Sequence, residues 1–392
     1  MSTLLWGLSV LNSVTAVQLL ATHFSGQIYT LDLALKDDLS SGTLKVTSKN
    51  TGAGVTPAWL HLDQATRTLY AIDESWQGSG VLTQWSVDKQ GGKIKLQATA
   101  KTPGNSVHAD LYGGKDGKGF LITSEYSPST ITTYKLPITA NTKPIQTLEF
   151  TQAKPGPRPD RQDKPHPHAA FTDPTGDFIV VPDLGADLTR IFKVNKNTGV
   201  LTAGPAIASL PGDGPRHGLF KQVGYGLKYY SLNEVSSSIG VYDVRYPTNS
   251  QEFLKLTLVQ TISTYGPNVP LGNVTVKAAE IRIIGDDLYA SNRNDSSFGF
   301  EQDSIATYKI QSGGNLKFQK LANSYSYYPR TFAFNKEGTL AAIGGQTTAN
   351  IAIVARNPRS GELGKLVANI VLPPRGTYGG EDGVSSIIWD ES

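Results

Sequence analysis

The 392-residue chain has no cysteine, which excludes both disulfide staples and thiolate metal sites. Histidine is scarce at six residues and methionine occurs once. Charge of either sign is not in excess, with 36 basic residues against 33 acidic. No basic stripe is present, so neither nucleic acid nor a membrane is expected as a partner. Helical periodicity is missing over any long window. What abounds is glycine, 40 residues, and proline, 22, spread along the chain rather than gathered in a tract. That profile predicts many short strands joined by tight turns. The first residues, "MSTLLWGLSVLNSVTA", have an apolar centre and end on Val14-Thr15-Ala16. They read as a signal peptide spanning 1–16 followed by one domain over 17–392, hence a secreted protein, with a cytoplasmic one as the alternative.

The chain repeats itself. A short apolar strand with a polar residue near its start recurs as "PAWLHLD" (57–63), "SVHADLY" (106–112), "PHPHAAF" (165–171), "PRHGLF" (215–220), "AEIRII" (279–284), "PRTFAF" (329–334) and "DGVSSII" (382–388). A turn follows, then a second strand with a polar end, such as "FIVVPDL" (178–184) or "LYASNR" (288–293), then a third such as "SIATYKI" (304–310). Each unit has the size of one propeller blade. The seventh first-strand lies at the C-terminus, and "VQLLATHFSGQIYTLDL" (17–33) supplies its missing second and third strands. The fold class is therefore all-β, a seven-bladed β-propeller in one domain, closed by pairing of the two chain ends, which removes exposed sheet edges. Such a ring is expected to be a monomer.

In a propeller the first strands line a central channel, so polar residues some 50 positions apart converge. The set comprises His108, His166, His168, Arg216, His217, Glu280, Arg282, Arg330 and Asp382 from first strands, with His23, Glu74, Glu125, Tyr126, Asp183, Glu234 and Arg293 at or just beyond second-strand ends. His166 and His168 are expected on opposite faces and are not read as a chelating pair. Several arginines and a histidine in one concavity suit a carboxylate or phosphate ligand, because a guanidinium grips either with a bidentate fork. Those arginines would repel a cation, and neither a metal nor another cofactor is expected. No Gly-x-Ser-x-Gly elbow is present to suggest a serine hydrolase. A channel of self-paired charges in a non-enzymatic scaffold remains the plain alternative.

The stretches "HPHAAFTDPTGDFIVVPDLGAD", "GPRH" with "LNE", and "LYASNR" with "IATYKI" resemble the lactonase-type seven-bladed propellers. That family includes 6-phosphogluconolactonase, the fungal carboxy-cis,cis-muconate lactonizing enzyme, and a secreted fungal branch of lyases acting on rhamnosyl-glucuronate. The resemblance implies a functional histidine at His168, five residues before an Asp-Pro turn. It also implies an arginine after proline at Arg216, a glutamate at Glu234, and a second arginine at Arg293, one residue early in its pattern. His168, His108, Arg216, Glu234 and Arg293 are thus the catalytic candidates. His166, His217, Arg330, Glu280, Glu125, Tyr126 and Asp382 are the substrate-binding ones. With the signal-like start, the leading expectation is a lyase performing β-elimination beside a uronate carboxylate of a glycan. The alternative is a lactonase or lactonizing cycloisomerase acting on a small carboxylated molecule.

Overall fold

The computed structural model describes residues 17–36, 38–88, 92–267, 276–378, 380 and 382–391. The leader expected over 1–16 lies outside them. Among the described residues there are 29 strands and no helix, in seven antiparallel sheets. Six sheets have four strands each; the third blade, which begins with Phe171–Thr172, has five, two of them only two residues long.

The ring closes as the repeat predicts and goes one strand further. Strand Val384–Asp390 is innermost, and Val17–His23, Gln27–Leu35 and Gly42–Asn50 follow it outward. The N-terminal segment thus contributes three strands to the last blade. Asp390 on this closing strand is buried, and Arg67 of the neighbouring blade pairs with it through both guanidinium ends, Nη2 reaching Oδ2 at 2.7 Å. Arg67→Ala would leave that carboxylate buried and unpaired, so a loss of about 3 kcal/mol is expected. It should appear as a lower urea midpoint at unchanged slope.

The packing explains the sequence pattern. Strand Phe178–Asp183 begins "FIVV", apolar at every position, because both of its faces are covered. Ile179 and Val181 pack with Tyr112, Phe120 and Ile122 of the preceding blade. Phe178 and Val180 pack with Leu227, Tyr229 and Tyr242 of the next. Each such side chain contributes about 1.5–3 kcal/mol by leaving water, so the core is a ring of inter-blade layers.

One irregularity recurs and matters for function. The first strands slip register by a bulge near their start: between Pro57 and Trp59, Ser106 and His108, Pro215 and His217, Ala278 and Ile281, and Pro329 and Thr331. A bulge leaves one residue unpaired and re-aims its side chain. Arg216, Glu280 and Arg330 occupy these unpaired positions.

Candidate active site

A cavity of about 420 Å³ opens at the end of the channel where first strands begin and second strands end. Its walls include His166, His168, Tyr126, Glu234, Arg293 and Arg330. Glu234 is its electrostatic centre. Arg161 Nη2 donates to Glu234 Oε1 at 2.6 Å, and Arg293 Nη2 lies 2.9 Å from Oε2. Arg216 Nε stands 2.8 Å from the same Oε2, an ion pair without hydrogen-bond alignment. Burial disfavours the Glu234 carboxylate, but Arg161, Arg293 and Arg216 overcome this and hold its pKa well below the ordinary range. Burial, then repulsion from Arg293, lowers the pKa of Arg216 to about 9, which leaves it a cation at neutral pH.

His168 stands beside this cluster. Burial, reinforced by Arg216 and His217, pushes its pKa well below 6.5, so the imidazole is neutral at pH 7. Its Nδ1 is buried without a hydrogen-bond partner. Such an orphan costs about 1–3 kcal/mol, which a hydrogen bond to water or substrate would recover.

The expectation that His166 and His168 point apart is corrected, since residues two apart on extended chain share a face. Both histidines border the cavity, on a stretch where Pro167 bridges Asp183 and the regular strand starts only at Phe171. The His166 ring stacks on Tyr126 at 4.0 Å and 8°. Its Nδ1 bonds Tyr126 O at 2.9 Å, and its Nε2 bonds Asp163 Oδ1 at 2.8 Å. Gly185 permits this close packing, since a Cβ there would meet Lys164 O at 1.8 Å.

Four expected residues, His108, Arg216, His217 and Glu280, are buried outside the cavity's lining. His108 stacks on Trp59 at 4.4 Å and stands 5.4 Å from His217, which is itself 5.4 Å from His168. His217 Nδ1 faces Glu280 Oε1 at 3.1 Å, and Arg282 donates to the same oxygen at 2.8 Å. Burial opposes the charge on Glu280, yet Arg282 and His217 bring its pKa down to about 2, so His217 is the donor in that bond. These side chains plug the channel floor. Two other expectations are corrected outright. Glu125 turns into its own blade, where Thr123, Thr130 and Thr132 donate to it and burial raises its pKa to about 8. Asp382 caps a turn, accepting from Thr377 N at 2.7 Å and Thr377 Oγ1 at 2.8 Å. Arg330 does face the cavity, held by Glu74 at 2.7 Å. Arg161 and Trp76, which also border it, escaped the repeat reading because both lie on connections outside the repeated strands.

The family model described as "Lactonase, 7-bladed beta-propeller" matches residues 16–377. The chain belongs to this lactonase family. An Arthroderma benhamiae protein named "Probable 6-phosphogluconolactonase" is 33% identical over 330 residues, 83% of this chain and 80% of that one. The Bacillus subtilis 6-phosphogluconolactonase is 27% identical over 322 residues, 81% and 85% of the two chains. Among solved structures, the periplasmic gluconolactonase of Pseudomonas aeruginosa superposes with a TM-score of 0.77 at 21% identity, covering 96% of this chain and 99% of that one. At that identity the likeness bears on the fold. The relatives' names overturn the leading expectation of a uronate lyase on rhamnosyl-glucuronate glycans, and favour the lactonase alternative. The physical source of the error is plain: a histidine and an arginine clamp serve an enolate and an ester oxyanion equally well.

Proposed function

We propose that this lactonase-family protein hydrolyses the ring ester of a sugar-acid lactone, the reaction class named for its relatives. One observation carries the reading: a neutral imidazole with an unpartnered nitrogen stands beside a cluster of guanidiniums at the cavity. Those are the groups that addition of water to an ester carbonyl requires. His168 takes a proton from water as its oxygen bonds to the carbonyl carbon. Arg293, in the cavity wall, stabilises the oxyanion that forms, and the buried Arg216 beside it adds its charge. The carbon–ring-oxygen bond then breaks, and the imidazolium returns the proton to the departing ring oxygen. Glu234 positions both arginines and remains an anion throughout.

A pH-stat tests this directly, because each ring opened releases an acid. Release from 6-phosphoglucono-1,5-lactone or glucono-1,5-lactone above the spontaneous rate supports the proposal, and release at the spontaneous rate for both rejects it. The pH profile follows from His168. A base must be deprotonated, and its pKa is depressed, so kcat/KM should stay level down through 6.5 and fall only at lower pH. An acid limb centred above 6.5 would assign the base elsewhere.

A further inference from the structure

We infer that Arg161 determines specificity by binding a dianionic phosphate monoester carried by the lactone; this rests on the lactonase reading above. Three guanidiniums converge on Glu234, and they differ in setting. The side chains of Arg216 and Arg293 are 2% and 1% exposed, whereas that of Arg161 is 20% exposed and bonds the opposite carboxylate oxygen. Arg216 and Arg293 also come from blade strands, while Arg161 comes from the connection between strands Pro144–Glu149 and Phe171–Thr172.

That connection is a strap pinned at two points just after Arg161. First the buried amide of Gln162 donates to Leu184 O at 3.0 Å and to Asp187 Oδ1 at 2.7 Å. Further along, Pro165 O accepts from Ser129 Oγ at 2.6 Å and His166 N donates to Asp183 Oδ1 at 2.7 Å. The backbone is therefore preorganised, and the guanidinium is held at the cavity rim. Beside it on the strap, the exposed Lys164 also borders the cavity. Three guanidiniums against one carboxylate leave this group positively charged. A neutral sugar lactone needs only the inner arginines, at its carbonyl. The carboxylates Asp160 and Asp163 also border the cavity but are engaged by Arg158 and His166, so the outer guanidinium with a lysine nearby matches a phosphate, which takes bidentate hydrogen bonds from arginine. Engaging phosphate, Arg161 would give up Glu234 Oε1 and leave Glu234 to Arg216 and Arg293. Phosphate binding at the rim is thereby coupled to the position of the inner pair.

The test compares wild type, Arg161→Ala and Arg161→Lys on 6-phosphoglucono-1,5-lactone and glucono-1,5-lactone. The Ala variant should lose roughly 30–100-fold more kcat/KM on the phosphorylated lactone than on the neutral one, the size of a lost charge-assisted pair. The loss should lie mainly in KM, and Lys should recover part of it. Equal losses on both lactones would mean that Arg161 only holds Glu234, and would overturn the inference while leaving the lactonase reading intact. Calorimetric titration with 6-phosphogluconate and gluconate reads the same preference without turnover. Wild type binding both acids equally would overturn the inference even if no lactone were hydrolysed.

Discussion

Replacing His168 with Asn is expected to lower kcat/KM for lactone hydrolysis by about 10²–10⁴-fold, the usual contribution of a positioned general base. The fold should tolerate the change. The backbone N–H of His168 still reaches Pro182 O, at 2.9 Å, and the imidazole Nδ1 has no protein partner to lose. Thermal unfolding should therefore shift little while turnover falls steeply. The loss should lie in kcat rather than KM, because proton transfer belongs to the transition state and not to substrate capture. A His168 variant with near-normal kcat would move the base to another group.

The second large effect belongs to Glu234. Glu234→Gln keeps the shape of the side chain and removes the charge that Arg161, Arg216 and Arg293 share. Removing one partner of a buried ionic group costs about 3–5 kcal/mol, and here the remaining partners also repel one another. The pH dependence follows from the sign of the shift. The folded-state pKa of Glu234 lies well below its ordinary value of 4.5. Its stabilisation is therefore fully present above 4.5 and is lost as pH falls through the depressed pKa. Wild type and Glu234→Gln should differ most in urea midpoint at neutral pH and converge in acid. Added inorganic phosphate should raise the midpoint of the variant more than that of wild type, since an anion replaces the missing charge. A variant as stable as wild type at pH 7 would show that the carboxylate is dispensable to the cluster.

The fold was legible because a propeller writes its architecture as a repeat. Seven polar-headed apolar strands, with one stranded at the C-terminus, dictate a closed ring, and the closure by Val17–His23 against Val384–Asp390 follows. The site was legible only where strand position determines side-chain direction. Glu234, Arg293 and Arg330 sit where the repeat places them. Adjacent residues such as Arg216 and His217 both turn into the channel region because a bulge suspends alternation there, and no composition rule marks that bulge. Glu125 stands one position short of Glu234 in the repeat, matching Asn233, so strand alternation turns it toward three threonines of its own blade. Arg161 escaped altogether. Its strap has no counterpart in the repeat, and its only mark in the sequence was an overlong, proline-rich step between blades.

The lyase expectation failed for a different reason. The residues specify where charge is stabilised, not which bond breaks, so an elimination and a hydrolysis share one set of groups. Substrate tells them apart, and that information lies in the shape and charge of the cavity rim rather than in any motif.

The most direct measurement is proton release from 6-phosphoglucono-1,5-lactone at neutral pH, followed side by side for wild type, the His168→Asn protein and buffer. Rapid release by wild type, with the His168→Asn protein slower by about two orders of magnitude or more, is the expected result. Wild type and the His168→Asn protein releasing acid at the same rate, whether fast or at the level of buffer, would contradict the assignment of this pocket as a lactone-hydrolysing site run by His168.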